Sequence, residues 1–351
     1  MAYTVIDNPK EYFNTVLYTG NGSTSHAISN VGFSPNWVWV KERGGANSHM
    51  LCDTVRSATN VLFSNLTNAE DTGDAGSITA FGSDGFTVGN SGNVNANNDT
   101  YVGWNWKAGT SFTNDASSTG IGSIDSAGSV STDAGFSIVS WTGTGSNGTI
   151  SHRLGSVPKM IIIKDRSNTR NWQVYHVGYG NSGSGQLNLN AAFSGDGMFQ
   201  STDPTSTVFS VGTSVNANAS GANIIAYCFA EVKGYSKFGS YVGNGSATNG
   251  TFVYLGFRPA FVLWKRTQDS GYDWDIYDTA RDTHNVAFKE LLANGNGAES
   301  DGTTLSLDIL SNGFKLRTNN NNGNASGKTY IYMAFAENPF VTSTGIPATA
   351  R

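Results

Sequence analysis

Gly32-Phe33-Ser34-Pro35-Asn36-Trp37-Val38-Trp39-Val40-Lys41 decides how this chain is read, because its pattern returns twice. The second copy runs from Gly155 through Pro158 and Met160-Ile161-Ile162-Ile163 to Lys164. The third runs from Gly256 through Pro259 and Phe261-Val262-Leu263-Trp264 to Lys265. In each copy the proline follows its glycine by three residues and the lysine by nine. A spaced glycine pair precedes each: Gly20 and Gly22, Gly143 and Gly145, Gly243 and Gly245. The apolar run is apolar on both faces when extended, which predicts a strand covered on both sides.

Downstream features recur in the same order. Asp53 and Arg56 match Asp278 and Arg281, whereas the second copy has His176 at the Asp position and no matching Arg. Gly85-Phe86-Thr87-Val88 matches Gly313-Phe314-Lys315-Leu316 and, more loosely, Val208-Phe209-Ser210-Val211. Closing aromatic strands follow at Tyr101–Trp106, Ile224–Phe229 and Tyr330–Phe335. The lysines lie 123 and 101 residues apart, so one unit has the size of a small domain.

Charged residues are 13% of the chain against a usual ~25%, and Gly accounts for 43 of 351 residues. Asn-Gly hairpin signals recur, as at Asn21-Gly22, Asn244-Gly245 and Asn312-Gly313, and helical periodicity is nearly absent. Val286–Leu292 alone looks helical. Its counterparts Val61–Leu66 and Gln186–Asn190 read as strands, the latter alternating with period two, so all three are expected to be strands. Seven or eight strand signals per unit predict an all-β chain of three tandem β-sandwich, jelly-roll-like repeats in series. The expected division is an N-terminal arm at 1–12, sandwiches at 13–109, 135–234 and 235–340, a linker or surface excursion at 110–134, and a tail at 341–351. Both ends are candidates for docking on a neighbour.

Chemistry-bearing motifs are few. Gly143-Thr144-Gly145-Ser146-Asn147-Gly148 spells a dinucleotide fingerprint, but no helix follows and the other copies keep only Gly-x-Gly, so it reads as a shared loop. The five histidines have no metal spacing, and Asp269, Asp273 and Asp275 lack the Gly and Glu of a calcium loop. Cys52 and Cys228 read as buried thiols. The Asp/Arg pairs read as structural ion pairs. Trp172, Tyr272 and Trp274 could stack on sugar rings, but Trp172 and Trp274 recur eight and nine residues past their lysines, which favours packing. No catalytic residue, cofactor or metal is expected. A net charge of −5 without a basic stripe argues against a nucleic-acid partner. No signal peptide opens the sequence and no run approaches ~18 apolar residues, so a cytoplasmic product without a membrane partner is expected.

Gly135-Phe136-Ser137-Ile138-Val139-Ser140-Trp141-Thr142-Gly143-Thr144-Gly145, followed by His152, Leu154-Gly155, Pro158 and Lys164, resembles an uncharacterised tandem-repeat β domain of marine bacteriophage virion proteins. Asn8–Thr15 and Ala336–Phe340 resemble the same proteins. The resemblance implies a non-enzymatic structural protein on the virion surface, assembled in a host cytoplasm, with other tail or capsid proteins as partners. A tail appendage or fibre with a host-surface glycan partner is the first expectation, with homotrimers favoured. Capsid decoration is the second. A glycan-degrading enzyme is disfavoured, because no carboxylate pair recurs within one unit.

Overall fold

Apolar strands separated by Gly and Asn turns leave no segment long enough for an extended helix. The computed structural model, which describes residues 3–302 and 304–347, contains only single-turn helices among many strands. None of its helices is long and apolar enough to cross a membrane. The first copy supplies β1 (Phe13–Thr19), β2 (His26–Ile28), β3 (Trp37–Glu42), β4 (Met50–Asp53), β5 (Ser57–Leu62), β6 (Ile78–Gly82), β7 (Gly85–Val88) and β8 (Thr100–Trp106). An insert, β9 (Thr110–Asn114) and β10 (Ser126–Ser131), leads into the second copy. That copy comprises β11 (Phe136–Thr142), β12 (Gly148–Ser151), β13 (Pro158–Asp165), β14 (Gln173–His176), β15 (Gly180–Gly185), β16 (Val208–Val211) and β17 (Asn223–Ala230). The third has β18 (Ser236–Val242), β19 (Phe252–Tyr254), β20 (Phe257–Arg266), β21 (Trp274–Asp278), β22 (Leu291–Leu292), β23 (Leu307–Leu310), β24 (Gly313–Leu316) and β25 (Thr329–Pro339).

One sheet order recurs. β1-β8-β3-β4-β5 is matched by β11-β17-β13-β14-β15 and by β18-β25-β20-β21-β22, all antiparallel. A smaller sheet covers each: β2-β7-β6, β12-β16 and β19-β24-β23. These are unequal sandwiches rather than the balanced sheets expected of a jelly roll, because the strands after the lysine continue the large sheet as a meander.

The lysine strands are covered on both faces by different neighbours. In the first copy Val38, Val40, Met50 and Cys52 face a private core shared with Phe86 and Val88 of the small sheet. Trp37, Trp39, Trp104 and Trp106 face the other way, into a core that also takes Met160, Ile162, Tyr227 and Phe229 from the second copy and Phe261, Leu263, Met333 and Phe335 from the third. The second and third copies have private cores of their own. Aromatic rings from different copies meet at the centre. Trp37 stacks on Tyr227 at 4.3 Å, Trp106 meets Phe335 at 5.8 Å, and Phe229 meets Phe335 at 6.1 Å between centroids.

The units are not sandwiches in series: they close on one another around a common core. Residues 110–134 are not a linker, since β9 and β10 extend the second large sheet to seven strands in the order β15-β14-β13-β17-β11-β10-β9. The described part of the N-terminal arm docks on its own chain. Ile6 enters the shared core, Tyr3 Oη donates to Gly256 O at 2.8 Å and Thr4 Oγ1 donates to Lys233 O at 3.1 Å. The tail meets the arm where Ser343 N–H donates to Asp7 Oδ1 at 2.6 Å. Of the three segments expected as strands after the lysine strands, Val61 and Leu62 end β5, Leu291 and Leu292 form β22, and Gln186–Asn190 is a turn after β15. None is helical.

Candidate functional site

The recurring motif residues explain how the copies are built and joined. Gly32, Gly155 and Gly256 adopt positive φ of 88°, 70° and 79°, a conformation side-chain-bearing residues avoid. Pro158 and Pro259 sit at register shifts in β13 and β20, where a missing N–H costs no ladder bond. Pro35 is buried just before β3.

The Gly-x-Gly loops fold around a buried asparagine. Asn218 Oδ1 accepts from Thr144 N–H at 3.0 Å, and its Nδ2 donates to Ser146 O at 2.7 Å and Gly212 O at 3.0 Å. Asn95 does the same with Asn21, Ser23 and Gly89, and Asn324 with Asn244, Ser246 and Thr318. A Cβ on Gly20 or Gly143 would lie 2.1 Å from the carbonyl oxygen after the asparagine, and one on Gly243 2.3 Å. The glycines therefore admit main chain to this hub, not a pyrophosphate.

Lys41, Lys164 and Lys265 are fully buried, and burial pulls all three ammonium groups down to about 8. Each donates to the main-chain carbonyl of the following residue. Lys164 also crosses a joint to Thr67 O at 3.1 Å.

Three joints close the ring, and the ring side chain eight or nine residues past each lysine spans one of them. Trp172 Nε1 donates to Phe63 O at 2.8 Å and Trp274 Nε1 to Gln186 O at 2.9 Å. The first copy uses His49, whose Nε2 donates to Leu292 O at 3.0 Å while Nδ1 accepts from Trp39 Nε1 at 2.8 Å. Trp172 and Trp274 are thus buried at 0% and 1% exposure and cannot present a ligand platform, which corrects that reading. Tyr272 stays partly exposed under the Arg266 guanidinium, 3.9 Å from its ring centroid.

The Asp/Arg pairs anchor two of the joints. Arg56 bridges Asp53 at 2.6 Å and Glu70 at 2.8 Å, and Glu70 reaches across to Arg166 at 2.6 Å. Arg281 bridges Asp278 at 2.6 Å and Glu299 at 3.1 Å, and Glu299 reaches Arg43 at 2.8 Å. Each Asp also accepts from the neighbouring copy: Asp53 from Tyr227 Oη at 2.7 Å, and Asp278 from Trp104 Nε1 at 3.0 Å. At the third joint the register puts Met333 where Trp104 and Tyr227 stand. A thioether donates no hydrogen bond, so an Asp there would be buried without a partner. His176 replaces it. Its Nδ1 accepts from Gly178 N–H and its Nε2 donates to Tyr332 O, both at 3.0 Å. Phe193 takes the Glu place, its N–H donating to Thr267 O as Glu70 N–H does to Arg166 O and Glu299 N–H to Arg43 O.

Asp269, Asp273 and Asp275 are not brought together: Asp269 pairs with Arg266 and Lys328, Asp273 accepts from Asn294, and Asp275 accepts from Asn322. Among the described residues no group of three His, Cys, Asp or Glu side chains could hold a metal ion. Cys52 and Cys228 are free and buried, and burial pushes the Cys52 thiol up to about 12. Beside the insert lies an open hollow of about 440 Å³, as apolar as it is polar, lined among others by Asp115, Asp125, Ser140, Trp141, Arg166 and Asn223.

The molecule is therefore an all-β body in which one sheet topology, used three times, closes on a common core. The chain belongs to the DUF7483 family, whose sequence model matches residues 8–339 and is described as a domain of unknown function. The match ends at the last residue of β25 and takes in all three copies as a single unit. No curated protein matches the chain.

Proposed function

We propose that this protein is a non-enzymatic structural component displayed on the surface of a bacteriophage particle, first of all in a tail appendage that touches the host. The observation that carries this reading is where the motif residues point. The lysines, the Asp/Arg/Glu clusters, the Trp and His rings at equivalent places in the three copies and the asparagine hubs are all directed inward and spent on holding one body together. Such a body suits repeated display on a particle, and the phage resemblance of Gly135–Gly145 supplies the context. Capsid decoration is the second reading, and closure of the ring within one chain favours it, because a fibre built by trimerisation needs joints between chains.

Counting this protein against the major capsid protein in purified virions tests both. A few copies per particle, co-purifying with tails, is the expected result. Copies in number with the shell would place it on the capsid, and absence from virions would overturn the proposal. Sedimentation of the purified chain adds the oligomeric state: the appendage needs a trimer, whereas decoration admits a monomer, dimer or trimer, so a strict monomer that does not bind intact host cells would sink the appendage reading.

A further inference from the structure

We propose that the outer face of β19 in the third copy is a binding site for an anionic glycan, an inference that rests on the surface-display reading above. Phe252 and Tyr254 are 44% and 50% exposed, while Val253 between them is buried in the private core. Among the described residues they are the two most exposed Phe, Tyr or Trp side chains. Alternate residues of a strand share a face, so the two rings stand side by side, about 7 Å apart along β19.

The other two copies show that the fold does not need them. Cross-strand register aligns Phe252 and Tyr254 with Ala27 and Ser29 of the first copy, and with Thr149 and Ser151 of the second. Two cations flank the rings, and they too belong to the third copy alone. Lys315 lies opposite Phe252 on β24, where the other copies have Thr87 and Ser210. Lys237 lies on β18, at the place of Asn14 and Ser137. Its Nζ sits 5.1 Å over the Tyr254 ring and donates to Tyr254 O at 3.0 Å. Lys315 Nζ donates to Asn249 Oδ1 at 2.6 Å. Each ammonium has three donors, so both keep donors for a ligand. Tyr3 Oη lies 3.2 Å from Tyr254 Oη and helps fix that ring.

Two aromatics and two lysines have thus been placed together where both sister copies carry small neutral side chains. Ring faces offer stacking for the C–H faces of sugars, and the lysines offer charge to carboxylate or sulfate groups. Two half-covered rings present on the order of 200 Å², against about 800 Å² per partner in a standard protein interface. The area suits a short stretch of sugar chain better than a second protein.

The sister copies also supply the test variant. F252A/Y254S restores the first copy's residues and is expected to leave the melting temperature unchanged. Alginate hexamer and chondroitin sulfate hexamer are titrated into the full chain by calorimetry, with dextran as the uncharged control. At least one charged hexamer is expected to bind with salt-sensitive affinity, about tenfold weaker to F252A/Y254S and to K237N/K315T. Failure of both hexamers to bind at millimolar concentration, equal binding of dextran, or binding unchanged in a folded F252A/Y254S protein would overturn the proposal. So would self-association that the double variant abolishes, which would make the patch a contact between copies of the chain. None of these outcomes alters the virion count above, so the two proposals fail separately.

Discussion

Asn218 ties together groups 74 residues distant in sequence, and it is 0% exposed. Its removal strands Gly212 O in the interior and unties Thr144 N–H and Ser146 O of a partly exposed loop, which at about 1–3 kcal/mol for a buried orphaned group makes Asn218→Ala destabilising by roughly 2 kcal/mol. Asn218→Asp should be worse, because a carboxylate keeps the acceptor but faces Ser146 O and Gly212 O without a proton to give. Urea denaturation of the two variants at neutral pH checks the order, and an Asp variant as stable as the Ala variant would show that the hub is not built as described. The Asn-Gly and Gly-x-Gly turns were legible in the sequence because turn chemistry is local. The asparagine that fills them was not, since one buried Asn in an Asn-rich chain carries no local mark of its distant partners.

At the scale of elements, three imidazoles are locked in one tautomer. In His49, His152 and His176 an N–H donor faces Nδ1, so a second proton would set donor against donor. Burial accordingly holds His152 and His176 down at about 4, and His49 well below its ordinary value, with the Lys41 charge adding to burial there. The unfolded chain takes up a proton near 6.5 and the folded chain does not until about 4, so folding stability is full above the unfolded value and falls as pH drops through this window. The fully buried ring of His176 contributes on the order of 3 kcal/mol to that fall, and His49 acts in the same direction. His49 and His176 lie in the two joints made by the third copy, whereas the joint between the first and second copies uses Trp172. Acidification should therefore loosen the third copy first. Hydrogen exchange at pH 7.5 and 5.0 is expected to show amides of β20 and β25 losing protection ahead of those of β3 and β13. His176→Gln should flatten the acid limb of the melting curve, and a slope identical to the parent's would remove His176 from this account. The sequence displayed the departure of His176 from the Asp pattern but not its cause, because Met333 matters only once β25 is laid beside β20. His49 was hidden for a similar reason: a polar ring stands where the other copies have Trp.

For the whole molecule, the doubly apolar lysine strands showed that something covers each sheet on both sides, yet no periodicity reveals that the second cover is the other two copies. Low charge reflects the same fact, since every copy turns one complete sheet face inward. This arrangement argues against autonomous units. A fragment of residues 135–234 would expose Ile138, Met160, Ile162, Trp172, Tyr227 and Phe229, which the intact chain buries. At about 1.5–3 kcal/mol for each large apolar side chain returned to water, that loss is on the order of the whole stability of an ordinary domain of this size. The fragment is therefore expected to bind ANS and to lack a cooperative melt, while the full chain unfolds in one transition near neutral pH. A fragment that melts cooperatively without ANS binding would restore the picture of independent sandwiches. The shared core also predicts coupling across copies. Phe335→Ala and Trp37→Ala touch the same central cluster from different copies, through Phe229, which lies 6.1 Å from each ring. Combined, their costs should depart from additivity by at least about 0.5 kcal/mol in a double-mutant cycle. Strict additivity would mean that the three sheets merely lie against one another, without a common core.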